Sequence, residues 1–183
     1  MKRVCKCKDS AILQNNWQYK DNQARHNSKI RAVLEREQNY FCAYTEDRFS
    51  ATYARDIEHF NPTLKYTSKD SYRNWFAVSH KFNKDKSTKW GDFQPIMHPT
   101  DLNFDKRLWY SEGIYEINSK DIRADNLRKY LDLNNPVLVT ERIEYIKGLK
   151  SLGDNDFVQK FLAENPTFVK FPRALATEFP QTR

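Results

Sequence analysis

Two short extended segments, residues 53–60 and 74–79, flank a polar loop in a chain whose other patterned stretches read as helices. The first runs into Asn61-Pro62, and a proline there disfavours continuation as helix. The second, Asn74-Trp75-Phe76-Ala77-Val78-Ser79, is aromatic and β-branched, as a short buried strand would be. So little strand amid helical patterning predicts an α+β fold in one domain spanning 1–183.

Helical periodicity begins at Ser28. Ile30, Val33, Leu34 and Phe41 fall near one face, and Asn27 or Ser28 can serve as N-cap. Residues 80–90 are basic and contain few helix breakers, whereas 94–110 are proline-marked and irregular. Glu112-Gly113 predicts a hairpin turn before a strand at 114–117. Further on, Ile122, Leu127, Tyr130 and Leu131 form one stripe. A second helix, capped by Thr140, carries Ile143, Ile146, Leu149 and Leu152 and ends near Gly153. Phe157, Phe161 and Leu162 mark a third, stopped before Pro166. The expected subdivision is a helical region at 1–41, a strand–strand–helix core at 42–90, and a hairpin followed by helices at 91–183.

Composition narrows the function classes. Twelve Phe, ten Tyr and four Trp can fill a core. Only four Gly occur, and no Gly-rich phosphate loop motif is present, which argues against a nucleotide-driven activity of the chain's own. The net charge of +7 is uneven: residues 1–90 hold 18 Lys/Arg against 10 Asp/Glu, and the remainder hold 13 against 14. A basic front half suits a polyanionic partner such as nucleic acid, with a solvated charged surface as the plainer alternative. Cys5, Cys7 and Cys42 have no framework spacing, and no secretory signal or membrane-spanning run is read, so a cytoplasmic location without membrane contact is expected.

One stretch carries chemistry: Asp56-Ile57-Glu58-His59-Phe60-Asn61-Pro62, then Asn74, then Asn83-Lys84-Asp85-Lys86. Phosphodiester hydrolysis near neutral pH needs a base such as histidine, a hard cation on oxygen ligands, and positive charge for the developing anion. His59 offers the base, Glu58 and Asn83 the oxygens, and Lys84 or Lys86 the charge. Adjacent strand residues point to opposite faces, so Glu58 and His59 share a site only at a strand end, where the chain twists.

These residues resemble the HNH (ββα-metal) endonuclease family. Its strand–loop–strand–helix unit carries an acidic residue before a catalytic His, an Asn in the middle, and a final Asn on the helix. Glu58-His59, Asn74 and Asn83 match those positions, and Lys86 matches the lysine of an Asn-x-x-Lys ending. The acid-His-Asn form is similar to the HNH domain of RNA-guided CRISPR effector nucleases. A closer likeness is to the small HNH nucleases that accompany an ATPase in Septu and retron anti-phage systems, through Cys42-Ala43-Tyr44-Thr45-Glu46, Ile57 to Pro62 and Ser79 to Lys86. It extends more weakly through Pro95-Ile96-Met97-His98-Pro99 and the Gly113 turn, covering about two-thirds of the chain.

The resemblance implies a ββα-metal unit at 42–90, with Glu58 and Asn83 holding Mg²⁺ or Mn²⁺ and His59 activating water. Asn74 braces the loop that orients the His. Lys84, Lys86 and Lys89 meet phosphate, of DNA ahead of RNA. It also implies an ATPase partner and a role as effector of antiviral defence. The chain departs from the pattern at three of four positions. Where those relatives place four zinc cysteines, it has Cys42, Thr45, Ser79 and Phe82, so no structural zinc is expected. Trp75, Phe76, Phe82 and Trp90 are the expected apolar substitutes. The competing reading is a decayed HNH scaffold acting as a nucleic-acid-binding or adaptor subunit. Asp56, on the same strand face as Glu58, and His80, one helical turn before Asn83, are additional candidates near the ion. His26 and His98 read as structural.

Overall fold

A computed structural model describes residues 1–83 and 90–181. Its architecture is mixed α/β, with two separate two-stranded antiparallel sheets among short helices. No helix among the described residues is long and apolar enough to cross a membrane.

The front half begins with α1 (Ala11–Gln14) and α2 (Ala24–Glu37). α2 starts four residues before the expected Ser28. Asn27 does not cap it, because its side chain bonds both backbone groups of Lys20, and Ser28 Oγ bonds the Arg25 carbonyl. Ile30, Val33 and Leu34 form the buried stripe, while Phe41 lies beyond the helix. α2 packs across β1 (Arg55–His59) and β2 (Trp75–Ser79), which pair with His59 opposite Trp75 and Glu58 opposite Phe76. The connecting loop is tightened by 3₁₀ turns at Pro62–Leu64 and Tyr72–Asn74. β2 is buried along nearly its whole length and passes directly into α3 (His80–Asn83).

The back half starts with a 3₁₀ turn at Trp90–Phe93 and then α4 (Phe104–Arg107), inside the stretch read as irregular. The hairpin of β3 (Leu108–Ser111) and β4 (Ile114–Ile117) turns at Glu112-Gly113, where both residues have positive φ. α5 (Ile122–Tyr130) is capped by Asp121, whose carboxylate accepts from the Ala124 N–H at 3.0 Å. Ile122, on the first turn, is exposed, while Leu127, Tyr130 and Leu131 are buried as expected and Ala124 joins them. α6 (Pro136–Lys150) likewise begins before the expected Thr140. The Asn135 side chain caps it and Pro136 occupies the first position, where its missing N–H costs nothing. Ile146 and Leu149 are buried, whereas Ile143 and Leu152 are exposed. α7 (Asn155–Glu164), capped by Asp154, and α8 (Pro172–Glu178) complete the chain; sequence periodicity did not indicate α1 or α8.

The two halves share one hydrophobic core. Phe60 packs edge-on against Trp90 at 5.4 Å and His98 at 4.9 Å, and Tyr130 adds to the same group at 5.5 Å from Trp90. A second tie is polar. Glu46, just after Cys42, is buried and accepts from the Tyr115 hydroxyl of β4 at 2.5 Å, and lies 3.3 Å from the Met1 amine.

Candidate functional site

His59 closes β1, and its side chain is almost fully buried. Opposite it stands Trp75, and the Tyr19 ring meets the imidazole edge-on with centroids 4.6 Å apart. Asp70, from the loop between the strands, brings Oδ2 to 3.0 Å from His59 Nε2. The approach is close but off the N–H axis, so Nε2 has a charged neighbour without a linear hydrogen bond. The other Asp70 oxygen accepts from Asn74 Nδ2 at 3.0 Å and from the Trp75 indole N–H at 2.8 Å. Burial alone would raise the Asp70 carboxyl. The adjacent His59 ring and the donors from Asn74 and Trp75 outweigh it and hold that carboxyl below the usual carboxylate range.

Asn74 braces the turn that follows His59. Its Oδ1 accepts from the Asn61 N–H at 2.8 Å, and its Nδ2 donates to the Asn61 carbonyl at 3.1 Å. Asn61 in turn caps the 3₁₀ turn at Pro62. This local geometry follows from Asn61-Pro62: proline fixes the exit from β1, and the buried asparagine satisfies the backbone groups that leave the ladder.

On the other side of β1, residues 56 and 58 share a face. Glu58 is buried and lies near the Tyr44 and Tyr130 hydroxyls, whose ionisation its charge opposes. Asp56 Oδ2 accepts from Asn83 Nδ2 at 2.8 Å and lies 2.8 Å from His80 Nδ1. α3 therefore returns His80 and Asn83 to β1 at Asp56, two residues before Glu58. Among the described residues, His59 and Glu58, adjacent in sequence, have different neighbours: Tyr19, Asp70 and Trp75 lie beside His59, and tyrosines of the aromatic core lie near Glu58.

Lys84, Lys86 and Lys89 lie outside the described residues. A cation that sequence reasoning passed over is Lys65, in the loop between the strands. Its Nζ sits 5.3 Å from the Tyr19 ring centre, and Tyr19 itself packs on His59. Asp70 was also passed over; its one sequence signal is a place four residues before Asn74, inside the polar loop.

Two of the four positions at which the resemblance expects zinc cysteines are in contact. Cys42 Sγ accepts from the Ser79 N–H at 3.4 Å, and Thr45, Ser79 and Phe82 all border one cavity of about 1210 Å³. Trp75 and Phe76 are buried as expected, but Phe82 is only half-buried on the wall of that cavity. Cys5 and Cys7 are exposed while Cys42 is buried.

No family model matches this chain. No curated protein matches it. No solved structure matches it.

Proposed function

We propose that this chain is a metal-dependent endonuclease of the HNH type that hydrolyses phosphodiester bonds, in DNA ahead of RNA. The observation carrying the proposal is an order of elements with residues at set places on them. An antiparallel pair ends its first strand in His59, an asparagine clamps the turn beside it, and the second strand runs into a helix that returns Asn83 to the first. The motif spacing calls for such an order of strand, strand and helix. The contact between Cys42 and Ser79 supports the same reading, since two of the positions expected to share a knuckle adjoin although far apart in sequence.

The donor chemistry fits a hard divalent cation. Among the described residues no three His, Cys, Asp or Glu side chains gather closely enough to hold an ion alone. Mg²⁺ does not demand such a set, because one or two carboxylates and substrate phosphate oxygens commonly suffice. Glu58 and Asn83 would hold it, with Asp56 on the same strand face as a further oxygen donor. Such an ion, when bound, supplies positive charge beside the scissile phosphate.

His59 takes the proton from the attacking water as the new phosphorus–oxygen bond forms and the sugar oxygen departs. Asn74 keeps the turn after His59 from swinging the imidazole away. Lys65, and the lysines of 84–89, would bring positive charge to the phosphate backbone. By the same resemblance the chain would act as the nuclease effector of an anti-phage system with an ATPase partner.

The test is cleavage of plasmid DNA and of RNA by the purified chain, with and without its partner, in Mg²⁺. EDTA should abolish cleavage, and His59→Ala should slow it by about 10²–10⁴ while leaving nucleic-acid binding intact. Equal cleavage by His59→Ala would overturn the proposal.

A further inference from the structure

We propose that Asp70 is a positioning residue that fixes the tautomer of His59, placing the ring proton on Nε2 and leaving Nδ1 as the basic nitrogen. Its catalytic consequence rests on the nuclease reading above; the tautomer itself does not. His59 Nε2 is enclosed, and among the described residues Asp70 Oδ2, at 3.0 Å, is the acceptor within reach. A neutral ring with its proton on Nδ1 would turn the Nε2 lone pair against that carboxylate. The Nε2–H form removes this repulsion and turns the ring proton, rather than a lone pair, toward the carboxylate. No hydrogen bond from the described residues engages Nδ1.

Asp70 cannot easily turn away. Its Oδ1 is held by the Trp75 indole N–H at 2.8 Å and Asn74 Nδ2 at 3.0 Å, so Oδ2 remains directed at His59. Asn74 thus links two tasks, clamping the turn at Asn61 and steadying the carboxylate behind the imidazole. Asp70, with 8 % of its side chain exposed beside a His59 side chain at 6 %, acts where water does not dilute the interaction.

These fixed donors make Asp70→Asn informative. Trp75 and Asn74 both donate, so the asparagine must give its carbonyl oxygen to them and present its NH₂ to His59. That NH₂ donates to Nε2 and drives the ring proton to Nδ1, the nitrogen needed as base.

The experiment is nitrogen NMR of the full chain with ¹⁵N-labelled histidine in mildly alkaline solution, with His59 assigned by its loss in His59→Gln. The unaltered chain should show the Nε2–H tautomer, and Asp70→Asn the Nδ1–H tautomer. In cleavage assays Asp70→Asn should lower kcat by about 10²-fold or more with KM little changed. An Nδ1–H tautomer in the unaltered chain overturns the proposal without needing any variant to fold. So does a folded Asp70→Asn chain that keeps the Nε2–H form. A tautomer switch in a chain that cleaves nothing would sink the nuclease reading and leave the role of Asp70 standing.

Discussion

Asn74 grips Asn61 at two points, accepting from its N–H at 2.8 Å and donating to its carbonyl at 3.1 Å. One buried side chain thereby replaces the ladder bonds that β1 gives up where it ends at His59. Asn74→Ala leaves those groups and one Asp70 oxygen short of partners, and should cost about 1–3 kcal/mol in urea denaturation. Asn74→Asp should not recover the loss, because the donor to Asn61 and Asp70 is gone. Full stability in either variant would show that the clamp contributes nothing.

Gly113 sits in the β3–β4 turn with φ of +91°, and a Cβ there would meet Ile143 Cγ1 of α6 at 2.5 Å. Gly113→Ala should therefore destabilise by about 1–3 kcal/mol, from the backbone conformation and the forced shift of Ile143 together. Adding Ile143→Ala opens the space and should return part of that loss. Thermal melts of the single and double variants make the comparison.

Arg142 is fully buried in α6, donating to the Gly113 and Leu133 carbonyls at 2.7 Å each and lying 4.7 Å from the Tyr115 ring centre. Burial pushes its guanidinium down to about 10, with nearby Glu46 opposing. Two charge-assisted bonds end together in Arg142→Met, so a loss of roughly 3 kcal/mol or more is expected, at about 1.5–3 for each. Arg142→Lys should restore little of it, because an ammonium cannot span both carbonyls as the planar fork does. Chemical denaturation of both variants tests this.

Lys6 donates to the Trp75 carbonyl, with Nζ 4.1 Å from the Phe76 ring centre. Its stem is partly exposed, but burial of the head pushes the amine down from 10.5 to about 7, against the attraction of Glu37. Above the folded value the native state has lost this proton while the unfolded chain still holds it. Stability should therefore rise with pH from about 7 toward 10. Lys6→Met should flatten that rise, read as urea midpoints compared at about pH 7 and about pH 9. An unchanged slope would place the pH dependence elsewhere.

Sequence legibility followed interaction range. The two strands and the hairpin turn at Glu112-Gly113 were readable because alternation, β-branching and turn chemistry act within a few residues. Helix starts were less so. Asn27 and Thr140 are good caps by residue type, yet Asn27 is committed to Lys20 and Asn135-Pro136 caps α6 a turn earlier. Periodicity places Ile122 and Ile143 on the stripes, yet both are exposed, because the faces packed inward carry Ala124, Leu127 and Tyr130 in α5 and Leu138, Arg142, Ile146 and Leu149 in α6.

By itself the sequence determined which side chains are available to the candidate site and that His59 would stand at a strand end, since Asn61-Pro62 stops β1 just beyond it. It also brought Asn83 to the helix that follows β2. Only the tertiary structure decided that Asn83 meets Asp56, that His59 and Glu58 keep separate company, and that Asp70 stands behind the imidazole. The loop carrying Asp70 has no periodicity to fix its path. Its position is set by the Trp75 indole and by Asn74, and those contacts exist only once β2 has paired with β1.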